Sequence, residues 1–175
     1  MELINAEALP SDVETFVAAV ATQLTFYKED EILSPLEKII FYPVPFPTLR
    51  KPQLHTGEFH EDGIIILSLR NFTDGLMQSK KHFNIGLYTF ACAYTYYNNL
   101  KFPELTEKEA KEIEVIRGFT IEDVTNTHNI HNFDTQAFLI ETYFECKSLL
   151  KEKLPSIFEF IDLEFIDSNS DFKNN

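Results

Sequence analysis

The sequence predicts an α+β fold that is mainly helical, with a small β-sheet packed on a buried central helix. Residues 83–96, FNIGLYTFACAYTY, are apolar on nearly every side when drawn as a helix, which is typical of a helix inside a core. Residues 64–69, IIILSL, form a continuous apolar run that predicts a strand covered on both faces. At 175 residues the chain is long enough to bury such a core.

The helix boundaries follow from capping patterns. Ser11 and Glu14 form a capping-box pattern that predicts a helix over residues 11–27. Thr106 and Glu109 repeat the pattern, and Gly118 is suited to end that helix in a left-handed conformation. The central helix is expected over residues 80–99. Two further helices are expected, one starting at Asp134 and one at Pro155.

The remaining segments predict strands, loops and a tail. Residues 39–42 predict an edge strand, because three prolines follow and proline cannot donate to a sheet ladder. Residues 48–62 predict a loop or loose hairpin arm, 71–79 a connection, and 120–133 a polar loop. We expect a single domain over 1–167 and a disordered tail over 168–175.

Composition narrows the class of function. The formal charge is −13 and the pI is near 4.7, which argues against nucleic acid and against an anionic membrane surface. The first residues lack the basic and then apolar pattern of a signal peptide, and no apolar run approaches the roughly 20 residues of a membrane span. Cys92 and Cys146 lie in apolar helical patterns and predict reduced thiols, so we expect a cytoplasmic protein.

Two predicted helices carry the chemistry. Tyr88 and Cys92 stand at positions i and i+4 of the central helix, with Thr89 beside Tyr88, and Glu141 lies on a separate helix. A helical zinc-peptidase site has His at the first two positions and Glu at the third, in the pattern His-Glu-x-x-His. The sequence therefore has the spacing of such a site without its ligands.

Five blocks in order give the chain a resemblance to a known family. It resembles the Mlc titration factor A family, also called the DgsA anti-repressor family, of zinc-dependent peptidases. The resemblance covers roughly residues 9–165 and departs from the family at the His-Glu-x-x-His signature. The blocks are AAVATQLTF at 18–26, LEKIIFYPVPF at 36–46, HTGEFHEDGIIILS at 55–68, and the helical segments at 83–96 and 137–145.

The resemblance implies a zincin-like, gluzincin-type peptidase domain that is shortened at its amino end. It maps the zinc ligands onto Tyr88, Cys92 and Glu141, and the general base onto Thr89. Of these residues Glu141 alone keeps the required chemistry, because a phenol is a poor ligand and a Thr hydroxyl is not a base. We therefore expect a non-catalytic pseudopeptidase without bound metal, which binds or regulates an unidentified protein partner.

An alternative stays open at this stage. His128 and His131 precede the Glu141 helix, and they could join Cys92 and Glu141 in a rearranged metal or thiol hydrolase site. The opposite interpretation is that the two His are exposed and Cys92 is an inert thiol. For Tyr88 we expect that the ring fills the space of the metal, with its hydroxyl hydrogen-bonded to Glu141.

Overall fold

The computed structural model describes residues 2–3, 10–26, 33 and 35–165 of the chain. Within those residues the protein is α+β and mainly helical, as the sequence predicts. The helices are α1 (Val13–Thr25), α2 (Leu69–Met77), α3 (Ile85–Tyr97), α4 (Glu107–Arg117), α5 (Ile121–His128), α6 (Thr135–Lys153) and α7 (Pro155–Phe165).

A mixed sheet of four strands completes the described fold. The strands are β1 (Glu2–Leu3), β2 (Lys38–Tyr42), β3 (Gly57–His60) and β4 (Ile64–Ser68), in the spatial order β1-β2-β4-β3. β2 runs parallel to β1 and β4, and β3 is antiparallel to β4. β2 is therefore an inner strand, and the prediction of an edge strand is wrong. Pro43 and Pro45 follow the end of β2, so they remove no donor from its ladder.

β3 was not predicted, because the segment was expected to be a loop or loose arm. It forms a hairpin with β4 in which Phe59 pairs with Ile65, and Gly63 turns the chain with a φ of 88°. The four residues of β3, GEFH, are too few and too polar for an alternating pattern to stand out. β4 confirms its prediction, since four of its five residues are buried.

Helix α3 lies at the centre of the core. Ten of its 13 residues are buried, because it packs against α1, α2, α6 and the strands β3 and β4. β3 approaches α3 so closely that a Cβ atom on Gly57 would lie 2.8 Å from both Ile85 Cγ1 and Thr89 Oγ1. Glycine at this position is what allows the sheet edge to lie against the helix.

The helix ends agree only in part with the capping patterns. Thr106 and Glu109 form a true capping box, and Gly118 adopts a φ of 73° after α4, as predicted. α1 instead begins after Asp12, which makes no side-chain cap, so the Ser11 capping box is wrong. α3 begins later than expected, where the Asn84 side chain accepts a hydrogen bond from the Leu87 amide.

Two helices occupy segments that were predicted to be a connection and a loop, namely α2 and α5. α6 contains a break, because Cys146 has a φ of −134° and a ψ of 34°. Cys92 and Cys146 are both free thiols and both partly buried. In the described part of the chain, no helix is both long and apolar enough to cross a membrane. The tail predicted over 168–175 lies outside the described residues.

Candidate functional site

A groove of about 590 Å³ runs between β3, one face of α3 and the segment that leads into α6. Tyr88, Cys92 and Tyr96 line it from α3, at the i, i+4 and i+8 spacing of one helical face. β3 and the residue after it contribute Gly57, Glu58, Phe59 and Glu61, and the opposite border is formed by Ile130, Asn132, Phe133, Asp134 and Thr135.

Tyr88 and Thr89 are held by hydrogen bonds within this groove. The Tyr88 hydroxyl accepts a hydrogen bond of 2.8 Å from the backbone N–H of Asp134, and its ring stacks on Phe133 with centroids 5.4 Å apart. The Thr89 hydroxyl donates to the Ile85 carbonyl at 2.7 Å. The predicted bond between Tyr88 and Glu141 is therefore wrong, because the tyrosine reaches the start of α6 instead.

Glu141 lies outside the groove, in a buried ion pair. Its carboxylate accepts hydrogen bonds from Arg117 Nε at 2.9 Å and from Arg117 Nη2 at 2.6 Å, and a third from the backbone N–H of Asn84 at 3.3 Å. Burial raises the pKa of Glu141 to about 7, while the Arg117 guanidinium opposes this rise. Glu141 is thus committed to Arg117 and is not placed to act with Cys92.

Asp134, the N-cap residue of α6, supplies the carboxylate that the structure brings to the groove beside Tyr88 and Cys92. Its Oδ1 caps α6 by accepting from the amides of Gln136 and Ala137, at 2.8 and 3.1 Å. Its Oδ2 accepts from the Thr95 hydroxyl at 3.2 Å. Sequence reasoning identified Asp134 as the helix cap but did not place it in the site, because capping accounts for an Asp at that position.

The electrostatics of the groove keep the Tyr88 hydroxyl and the Cys92 thiol protonated. Burial raises the pKa of the Cys92 thiol well above its usual range, and the nearby Asp134 carboxylate raises it further. Burial likewise raises the pKa of Tyr88, and the nearby Cys92 raises it further. At neutral pH both are uncharged. The set of a phenol, a thiol and a helix-capping carboxylate does not fit the zinc ion that the family resemblance implies.

The structure separates the residues of the alternative site. His128 is buried, and its Nδ1 lies 2.7 Å from the Thr56 hydroxyl. Burial lowers the pKa of His128 to about 4, with a further contribution from His82. It borders a different cavity of about 260 Å³, which Cys92 and Glu141 do not line, and His131 is exposed. Within the described residues, no group of three or more His, Cys, Asp and Glu is arranged to hold a metal.

Glu58 anchors β3 to the arm that precedes it. Its Oε2 accepts from the Thr48 hydroxyl at 3.0 Å and lies 3.0 Å from His55 Nε2, and its Oε1 lies 3.2 Å from His60 Nε2. Burial alone would raise the pKa of Glu58, but its bonds to His55 and Thr48 hold that pKa at about 2. The segment HTGEFHED therefore forms a braced border of the groove.

Arg117 is the partner of Glu141 that sequence reasoning missed. The many charges of α4 favour a solvated helix. Ile113, Ile116 and Arg117 nevertheless share one face at i, i+3 and i+4, and all three are buried. An Arg on the apolar face of an amphipathic helix was the available signal, since such a charge needs a buried partner.

In comparisons with known proteins, no protein family, no curated protein and no solved structure is significantly similar to this chain.

Replacing Arg117 by Met should strand the buried carboxylate of Glu141. We expect Arg117→Met to lower the free energy of unfolding by about 3 kcal/mol, measured by urea denaturation. The double variant Arg117→Met, Glu141→Leu substitutes apolar groups for both charges and should return to within about 1 kcal/mol of the wild type. A single variant as stable as the wild type would contradict the assigned ion pair.

Glu141 should also make stability depend on pH. Its pKa is raised from 4.5 to about 7 on folding, so the folded state binds more protons than the unfolded state between those values. The stability that Glu141 contributes is fully present below pH 4.5 and is lost as the pH rises through about 7. Relative to Glu141→Gln, the wild type should lose stability across that window in urea titrations. Parallel pH profiles would refute the assignment.

Proposed function

We propose that the protein is a non-catalytic relative of the Mlc titration factor A peptidases that binds an extended polypeptide segment in the groove beside β3. The observation that carries this proposal is an edge strand lining a groove. Among the strands that the structure describes, β3 pairs only with β4. An open strand edge next to a groove is suited to accept a further strand from a partner.

The hydrogen-bond register identifies which backbone groups of β3 are available. The Ser68 amide donates to the Thr56 carbonyl at 2.8 Å, so Thr56 and Ser68 form a hydrogen-bonded pair. Such pairs alternate along an antiparallel ladder, which directs the amides and carbonyls of Gly57 and Phe59 away from β4. Both residues line the groove, so a peptide lying in it would meet these groups.

The chemistry of the groove supports binding without catalysis. Peptide hydrolysis needs an activated nucleophile or a metal-bound water with a base nearby. Cys92 and Tyr88 remain protonated at neutral pH, and the Thr89 hydroxyl is bonded to its own helix. These groups shape the groove without offering a base.

The relationship to the peptidases is supported by the way that two helices meet. The i and i+4 positions of α3, Tyr88 and Cys92, face the beginning of α6, and Asp134 presents a carboxylate there. This is the arrangement expected of two ligand positions and a third from a later helix. In this proposal Asp134 has the role that the resemblance assigns to Glu141.

Filling the groove should abolish peptide binding. Thr135 is exposed, lines the groove and is the first residue of α6, so Thr135→Trp would place an indole across it. We expect short peptides of alternating β-branched residues, followed by fluorescence anisotropy, to bind this variant at least about tenfold more weakly than the wild type. Thr22→Trp, the same change at an exposed position on α1, should leave binding unchanged.

Two results would overturn the proposed function. One is that no peptide in the library binds the wild type. The other is that a bound peptide is cleaved, with the cleavage lost in Cys92→Ser, which would make Cys92 a nucleophile and the protein a hydrolase.

Restoring the family's ligands should restore a metal site. We expect the triple variant Tyr88→His, Thr89→Glu, Cys92→His to bind zinc in calorimetric titrations, with Asp134 as the third ligand. Adding Asp134→Asn should remove the zinc affinity while keeping a helix cap, and adding Glu141→Gln should not. A folded triple variant that takes up no zinc would contradict the relationship to the peptidases.

A further inference from the structure

We propose that the groove selects an extended segment that places a lysine or arginine side chain against Phe59, Tyr96 and Glu61. This inference rests on the proposed function and adds the chemical class of the partner. It is drawn from the aromatic rings, the carboxylates and the charge balance at the end of the groove next to Glu61.

Aromatic rings supply the first part of this cation site. Phe59 and Tyr96 both line the groove, with ring centroids 5.7 Å apart and planes tilted by 60°. Tyr97 braces the two rings from behind, with its centroid 5.6 Å from each of them. Tyr96 is 49% exposed, which leaves ring surface for a ligand. An ammonium or guanidinium group is attracted to such a face.

Glu61 supplies the carboxylate beside the rings. Its side chain is exposed and accepts a hydrogen bond of 3.1 Å from the Tyr96 hydroxyl, which holds it next to the ring. A carboxylate has further acceptor positions after one bond, so Glu61 can still receive a cation. Within the described residues, no cationic side chain forms an ion pair with Glu61.

The charge balance of the groove favours a basic side chain over an acidic one. Among the described residues, the lining carries the carboxylates of Glu58, Glu61 and Asp134 and one ammonium, that of Lys51. Glu58 is occupied by His55 and Thr48, and Asp134 caps α6. Glu61 is therefore the carboxylate best placed to meet a partner. The net charge of −13 would also steer a basic segment toward this surface.

The backbone register fits the same conclusion. Phe59 and Glu61 both contact Tyr96, so the ring and the carboxylate lie on the same side of the hairpin. A segment bonded to the backbone of Gly57 and Phe59 would continue past Glu61. Asp62 does not line the groove, and its Oδ2 lies 3.7 Å from Arg50 Nη2. Asp62 is therefore a matched control, with the same charge one residue away.

The test uses the full chain and a set of peptides that differ at one position. The extended peptides carry lysine, norleucine or glutamate there, and their affinities are measured by fluorescence anisotropy. We expect the lysine peptide to bind about tenfold more tightly than the norleucine peptide, and this preference to weaken at high salt. Glu61→Gln should remove the preference and leave the norleucine peptide unaffected, whereas Asp62→Asn should change neither.

The outcomes separate this inference from the proposed function. Equal binding of the lysine and glutamate peptides would overturn the selection of a basic side chain while leaving the groove a peptide site. Equal loss in Glu61→Gln and Asp62→Asn would show a general charge effect and overturn the assigned site. Binding of none of the peptides would overturn both proposals.

Discussion

The ion pair between Arg117 and Glu141 is the interaction on which the helical part of the structure depends. Removing a carboxylate from water costs several kcal/mol unless a cation and hydrogen bonds compensate, and Glu141 is fully buried. Arg117 provides two hydrogen bonds, and the backbone N–H of Asn84 provides a third. Because these residues belong to α4, α6 and the start of α3, a single electrostatic requirement fixes how three helices meet.

The sheet packs against α3 through close shape complementarity. Gly57 lets β3 approach α3 until their atoms touch, and the bonds around Glu58 hold the strand in that position. Hydrogen bonds of Glu58 and Thr89 therefore brace the strand and helix borders of the groove, while the amides and carbonyls of Gly57 and Phe59 stay directed away from β4.

Much of the fold could be predicted because its signals are local. The apolar run of β4, the capping box of Thr106 and the all-round apolar pattern of α3 each depend on neighbouring residues alone. α5 was missed because its capping box, Thr120 with Asp123, precedes a helix of only eight residues with little apolar periodicity. The site instead depends on which residues of different helices lie close together in the folded protein. That Tyr88 meets Asp134, and that Glu141 meets Arg117, follows from how the helices cross, which the spacing within each helix does not determine.

The hydrogen bond from the Asp134 backbone N–H to the Tyr88 hydroxyl fixes the position of the tyrosine side chain in the groove. The same residue caps α6 with its side chain and supports the tyrosine with its backbone amide, so the floor of the groove and the first turn of a long helix share one anchor. A side chain that pushed past Tyr88 would have to break this anchor and fray the helix. In the proposed binding mode, the groove would accept varied side chains along its rim and exclude large ones next to Tyr88.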